Sequence, residues 1–273
     1  MLGRYINHQE KKCLEKITFP KVSERPVAWL DDNIHTTPDH KAIVDLDTGK
    51  IFSIVSKDYK LLHHEDAIKQ VDTEISKISG LGKFTTSTEF YNDGGRMRRT
   101  YCFYERKVAI RPNDLVNPEL ILFNSYDTKW AFMVLLGAFR VVCSNGLVVG
   151  KKFLHLRKRH FYDFKQIDLK DQVAGALIRF KHQTEQWKRW STQTLAEKNY
   201  IIIMRIMKFG QNAMEEISDR LKQEVEEPQG DGFPIITVWA FFNILTWYIT
   251  HRTVSLNHQV EIERRLRLAM SYF

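Results

Sequence analysis

Cysteine is scarce in this chain and has no pairing pattern. Three occur in 273 residues, Cys13, Cys102 and Cys143, odd in number and far apart. Without a CxxC pair or a regular spacing, a disulfide framework is excluded as the source of stability. A reducing, cytoplasmic setting is the simpler expectation. Long apolar runs are also missing. The longest, Ile235 to Ile249, is about 15 residues and contains Thr237, Asn243 and Thr246. A membrane span needs roughly 20 apolar residues, so a buried helix and no membrane partner are expected. The start, MLGRYINHQEKKCLEK, has no apolar centre and does not read as a secretory signal. Neither GxGxxG nor GxxxxGK[ST] occurs, so no nucleotide loop is supported and no cofactor is implied. Internal repeats and low-complexity segments are absent.

What is present describes a globular protein. Hydrophobic residues make up 43% and charged residues 27%, a balance able to bury a core in one large domain or two small ones. The densest β-branched and aromatic content lies between Leu120 and Gly150, ending in the turn signal Cys143-Ser144-Asn145-Gly146. Upstream, Ala42–Leu46 and Ile51–Val55 flank Asp47-Thr48-Gly49-Lys50, a hairpin. From Glu65 to Ile78, Ala67, Ile68, Val71, Ile75 and Ile78 recur at helical spacing. The Asn92-Asp93-Gly94-Gly95 stretch between Phe84–Tyr91 and Arg96–Tyr104 is the strongest hairpin signal. Leu120–Ser125 and Trp130–Leu136 read as further strands. After Gly150, helical spacing dominates: 168–208 as one long helix or two in tandem, then 214–225, the apolar run, and about 257–270.

These elements predict an α+β fold: a twisted antiparallel sheet packed by helices, with a helical C-terminal layer. Residues 1–40, which contain Pro20, Pro26 and Pro38, read as an irregular N-terminal arm. Residues 41–165 read as the β-rich core and 166–273 as the helical region.

Net charge is +8, with a pI near 9.3. Gly150–Lys208 holds fourteen lysines and arginines against five acids, so this one stretch carries +9 and the remainder is near neutral. Aromatics interleave there: Phe153, Phe161, Tyr162, Phe164, Phe180, Trp187 and Trp190. Basic side chains neutralise phosphates and aromatic faces stack on unpaired bases, which points to nucleic acid, single-stranded DNA foremost. The alternative is a solvated basic helix face whose aromatics belong to the core. The candidate phosphate-binding residues are Lys151, Lys152, Arg157, Lys158 and Arg159. Arg96, Arg98 and Arg99 extend the track on an exposed hairpin, where Tyr101 and Phe103 share a face with Arg99.

No catalytic residues can be assigned, and a non-enzymatic role is expected. Cys143 on a β-branched run reads as a small buried hydrophobe rather than a nucleophile. His155, His160 and His182 lack zinc spacing, so no metal site is expected. Asp45, Asp47 and Asp58 sit beside turns and are better explained by turn chemistry than by magnesium. Asn243, within the apolar helix, reads as a structural hydrogen-bond hub.

Three stretches carry a family resemblance. Asn124-Ser125-Tyr126-Asp127, followed by Gly137-x-Phe139-Arg140-Val141-Val142-Cys143-Ser144-Asn145-Gly146-Leu147, resembles the signature of phage- and plasmid-carried proteins grouped as domain of unknown function 932. Gly49–Tyr59 resembles that family's opening strand followed by a tyrosine. Trp239-x3-Asn243-x2-Thr246-x-Tyr248-x2-His251 resembles its closing helix. The family usually has Asp-Gly after the Asn-Ser pair; here it is Asp127-Thr128. The resemblance covers about residues 43–255 and implies a mobile-element setting, in recombination or replication. It brings no catalytic residues. The order helix, hairpin strands, helix is also similar to the core of single-strand annealing proteins, an analogy of fold alone. The sequence also leaves two rival functions, a metal-dependent nuclease and a protein-interaction module that inhibits host defence, and it is compatible with a homo-oligomer.

Overall fold

The structure is a computed structural model that describes residues 18–140, 153–160, 169–224, 235–252, 256–271 and 273. It has antiparallel sheets and α-helices, the α+β class expected from the hydrophobic patterning. The described residues fall into two compact units. The first draws on Met1–Cys102, Leu120–Leu135 and His155–Gln172, the second on Phe103–Glu119, Leu136–Leu154 and Val173–Phe273.

In the first unit, β1 (Val22–Leu30), β2 (Ile34–Asp45) and β3 (Ile51–Ser56) form an antiparallel sheet in that order. The irregular arm expected over residues 1–40 is therefore strand from Val22 onward. The prolines conceal this. Pro26 sits at a register shift of β1 and Pro38 lies in β2 where β3 does not pair with it, two places where a missing N–H costs no ladder bond. The Asp45–Lys50 turn is closed by Asp45 itself, which accepts from the Asp47 N–H (3.1 Å) and the Thr48 hydroxyl (2.7 Å). This is turn chemistry, as read. Val22, Ile43, Phe52, Val55, Tyr59 and Tyr126 make the core of this region.

The helix α1 (His64–Ser76) buries Ala67, Val71 and Ile75. The hairpin β4 (Thr85–Tyr91) and β5 (Arg96–Cys102) pairs Tyr91 with Arg96 across its turn. Asn92, Asp93 and Gly94 have φ of 54, 52 and 85°, so this turn needs residues that tolerate the left-handed region. A β-carbon on Gly95 would lie 3.0 Å from the Asn92 carbonyl oxygen.

The second sheet continues from β4 and β5 through β7 (Asp114–Ser125), β8 (Phe132–Arg140) and β9 (Leu154–Lys158), with β6 (Val108–Arg111) pairing to β7. Gly137 lies inside β8. Between Gly150 and the helices, where the sequence reading placed the end of the β-rich core without assigning an element, lies a strand: β9 alternates, and the exposed side chains are His155 and Arg157, followed by Arg159. Cys143 through Gly146, Lys151 and Lys152 lie outside the described residues.

The helices of the second unit are α2 (Lys170–Thr192, reaching back into the first), α3 (Glu197–Met207), α4 (Gln211–Glu224), α5 (Val238–Arg252) and α6 (Leu256–Met270). The 168–208 stretch is thus two helices. The apolar run forms α5, which buries Trp239, Phe241, Phe242, Leu245 and Ile249. Trp187 packs on Trp239 at 5.4 Å between ring centroids, and Trp190 on Phe242 at 5.4 Å. Trp239 donates to the buried Asp114 carboxylate at 2.8 Å. Asn243 donates to the Trp239 carbonyl at 2.8 Å, a bond internal to the helix. Among the described residues no helix is long and apolar enough to cross a membrane.

Candidate nucleic-acid interface

The eight basic residues singled out from sequence have three fates. Those on β5 are engaged by the fold. Arg96 donates from Nε to Asp127 at 2.5 Å, and its guanidinium lies 5.7 Å from the Trp130 ring centroid. Asp127 is buried, and its other contacts are the Asn92 amide (3.0 Å) and the Lys129 N–H (3.1 Å). Arg96 is thus the counter-ion of a buried carboxylate, and such pairs are costly to break. Arg98 faces Glu89 across the ladder, 3.7 Å away. Arg99 donates to the Thr88 hydroxyl at 2.8 Å and lies over Tyr101. The expected repulsion among the three arginines does not arise. Arg96 and Arg98 alternate with Arg99 on opposite faces, and each has its own partner.

Those on β9 are different. Arg157 is exposed on the strand, and Arg159, also exposed, lies one residue past its end. Among the described residues neither has a carboxylate partner. Lys158, half-buried, points the other way with Leu154 and Leu156. Among the described residues β9 ends the strand order, so the Arg157 guanidinium stands at a sheet edge with Arg159 just beyond the strand. Lys151 and Lys152 lie outside the described residues.

Four of the interleaved aromatics take the core reading, while Phe161, Tyr162 and Phe164 lie outside the described residues. Phe153, Phe180, Trp187 and Trp190 are buried in the second unit and pack edge-to-face or tilted. Tyr101 and Phe103 are fully buried, so no base can stack on them. The run of positive charge is itself divided, with Arg157–Arg159 in the first unit and Lys181 and Arg189, both exposed on α2, in the second.

The signature residues form a buried hub that sequence reasoning did not assemble. His64, Asn124, Ser125 and Tyr126 are all 0% exposed. The Asn124 amide nitrogen donates to the Leu62 carbonyl (2.9 Å), which can only accept, so the amide orientation is fixed. The same nitrogen faces His64 Nδ1 at 3.0 Å, which must therefore be the unprotonated ring nitrogen. His64 Nε2 carries the hydrogen and donates to the Gly94 carbonyl at 2.9 Å. Burial pushes the His64 imidazolium down to a pKa of about 4, so the ring is neutral. The His64 N–H, in the first turn of α1 and without a helical acceptor, donates to Tyr126 Oη at 2.8 Å. Tyr126 N–H donates to the Gly95 carbonyl at 2.8 Å. Beside the hub, His160 stacks on Tyr59 at 4.9 Å, and burial lowers its pKa as well. The hub ties α1, the β4–β5 turn and β7 together by neutral hydrogen bonds. The only sequence signal for it was the Asn124–Asp127 motif.

Among the described residues no three His, Cys, Asp or Glu side chains gather as metal ligands would. Two shallow grooves are present. One, about 430 Å³, runs along α1 past Phe19, Ile68 and Asp72. The other, about 440 Å³, lies by Trp247, where Arg220 stacks at 4.0 Å. In the first, the Thr73 and Ser76 hydroxyls donate to the main-chain carbonyls of Lys69 and Thr73.

Comparison with known proteins agrees with the resemblance read from the motifs. The model of the family described as Domain of unknown function (DUF932) matches residues 51–270. UPF0380 protein YfjQ and UPF0380 protein YafZ, both of Escherichia coli (strain K12), are each 49% identical over 43 residues. That segment covers 16% of this chain and 16% of either relative. No solved structure matches.

Proposed function

The chain belongs to the DUF932 family, and on that premise we propose that it binds nucleic acid, single-stranded DNA in the first place, without catalysing a reaction on it. One observation carries the reading. Arg157 on the last described strand of the sheet and Arg159 just past its end are both exposed and without a carboxylate partner among the described residues. A guanidinium pair that the fold leaves unneutralised is suited to phosphate oxygens. Lys158, and Lys151 and Lys152 a few residues upstream in sequence, would lengthen the track. Affinity then comes from phosphate contacts, since Tyr101, Phe103, Phe153, Phe180, Trp187 and Trp190, candidates to stack on bases, are in the core. The resemblance to phage- and plasmid-carried proteins extends the proposal to recombination or replication of a mobile element, strand annealing included, in the cytoplasm.

The test is a fluorescence-anisotropy titration of labelled single-stranded DNA, duplex DNA and single-stranded RNA at several salt concentrations. Tight, salt-sensitive binding with single strands preferred is expected. Absence of binding to all three at low salt ends the proposal. Equal binding to duplex ends only the single-strand preference.

A further inference from the structure

The far part of the β1–β2 ribbon leaves its sheet. β3 pairs with β2 only from His40 to Val44, so Val27–Thr37 is a two-stranded ribbon with both backbone edges unpaired among the described residues. Two-stranded ribbons are at best marginally stable in water, and free edges invite pairing. This one is also apolar on both faces. Trp29, 53% exposed, stacks on His35 on one face; Leu30 and Ile34, each 76% exposed, lie opposite each other on the other face. Such a ribbon is covered by something in use.

Its charge indicates what. From Val27 to His40 there is no lysine or arginine, and the tip carries Asp31 and Asp32. Asp31 sits against His35, and Asp32 has no cation beside it among the described residues. A phosphate backbone is the wrong partner for an acidic tip, and so is an anionic lipid surface. The matching surface is on this chain itself: β9, an edge strand among the described residues, with Arg157 on it and Arg159 just past its end, neither with a carboxylate partner among the described residues. We propose that the ribbon of one copy docks on the β9 edge of a second copy, with main-chain pairing along the strand and the aspartates against the arginines. Ribbon and edge are different patches, so the contact is heterologous and propagates head to tail. Nucleic acid and the ribbon would then compete for Arg157 and Arg159. The proposal goes beyond the binding function, and its test is read without nucleic acid, so either can fail alone.

The test uses the full chain in sedimentation velocity from about 1 to 100 μM, a range bracketing a micromolar contact. Wild type is expected to form concentration-dependent oligomers larger than dimers, dissolving at high salt. Variant one, Leu30→Ser with Ile34→Ser, lacks the ribbon's apolar face. Variant two, Arg157→Glu with Arg159→Glu, lacks the edge charge. All four positions are exposed, and thermal melts should match wild type. Each variant alone is expected to be monomeric, and an equimolar mixture to give a 1:1 heterodimer, because one supplies the edge and the other the ribbon. Asp31→Lys with Asp32→Lys, which leaves the apolar face intact, should also be monomeric alone and form oligomers larger than dimers with variant two, because the two charge reversals match each other as well. A monomeric wild type at every concentration overturns the proposal. So does an oligomeric variant two, which would place the contact elsewhere, or a mixture that stays monomeric. Loss of nucleic-acid affinity in variant one without loss of self-association would overturn it in favour of a nucleic-acid contact.

Discussion

On β5, Arg96 is held by the buried Asp127 and Arg98 faces Glu89, whereas Arg157 on β9 and Arg159 just past its end have no carboxylate partner among the described residues. Both strands belong to the same unit. In sequence the two clusters look alike: arginines at alternating positions near aromatic residues. The difference is whether a charge is already neutralised. A paired arginine offers a ligand only what remains after the loss of its partner, while an unpaired one gives up hydration alone. Density of positive charge along a chain is therefore a poor guide to a binding surface until the acids facing it are known.

The predictions probe that contrast from its structural side to its exposed side. The largest effect should come from the hub that fixes the β4–β5 turn. Asn124→Ala leaves the Leu62 carbonyl and His64 Nδ1 without their buried donor and opens a cavity, at a cost of about 3–4 kcal/mol in denaturant unfolding. A loss below about 1 kcal/mol would mean that the hub is not a main tie.

The next effect is acid sensitivity. His64 titrates near 4 in the folded chain, below its ordinary 6.5. As pH falls through 6.5 the unfolded state binds a proton that the folded state refuses. Stability is thus complete above about pH 6.5, declines toward pH 4 and levels off there, about 3 kcal/mol lower. Unfolding midpoints of wild type and His64→Leu across this window should diverge in slope, with the variant flatter. Parallel curves would assign the acid loss to other groups.

Arg96→Glu sets a second carboxylate against Asp127 and should destabilise by about 2 kcal/mol. Sequence alone placed Arg96 on an exposed, tolerant track. A variant that melts like wild type would return it there. A smaller effect of opposite sign is expected at the β7–β8 turn, where Thr128 has φ of 62°. This is the position at which related sequences are expected to carry glycine, and a β-branched residue is strained in that region. Thr128→Gly should raise stability by about 1 kcal/mol, measured by the same denaturant midpoints, and an unchanged or lower midpoint would count against strain at that turn.

Much of the architecture was legible because it is local. The Asp-Thr-Gly and Asn-Asp-Gly-Gly turns, the spacing of Ala67, Val71 and Ile75, and the apolar run of α5 each declare their element within a dozen residues. The misreadings have physical causes. β1 and the first part of β2, ahead of Ala42, were hidden by prolines that sit where strands tolerate them. β9, inside the stretch read as β-rich core, received no element of its own because its charges were counted, while the alternation of Leu154 and Leu156 with His155 and Arg157 was not. The hub and the Arg96–Asp127 pair were illegible because their partners lie far apart in sequence, as His64 and Asn124 do. Turn chemistry at Asp45 and the core role of the tryptophans needed only the weaker, structural reading of the same residues.

The contrast between the two strands is tested most directly by salt. Single-stranded DNA affinity should be measured from low to high salt for wild type, Arg157→Ala with Arg159→Ala, and Arg98→Ala with Arg99→Ala. Each phosphate contact contributes a slope of about −0.7 in log K against log salt on single strands. The β9 pair is predicted to lower the slope's magnitude by about 1.4 and weaken binding at low salt. The β5 pair should leave slope and affinity near wild type. A wild-type slope in the β9 variant, or a loss confined to the β5 variant, would contradict the assignment of the interface to the edge strand.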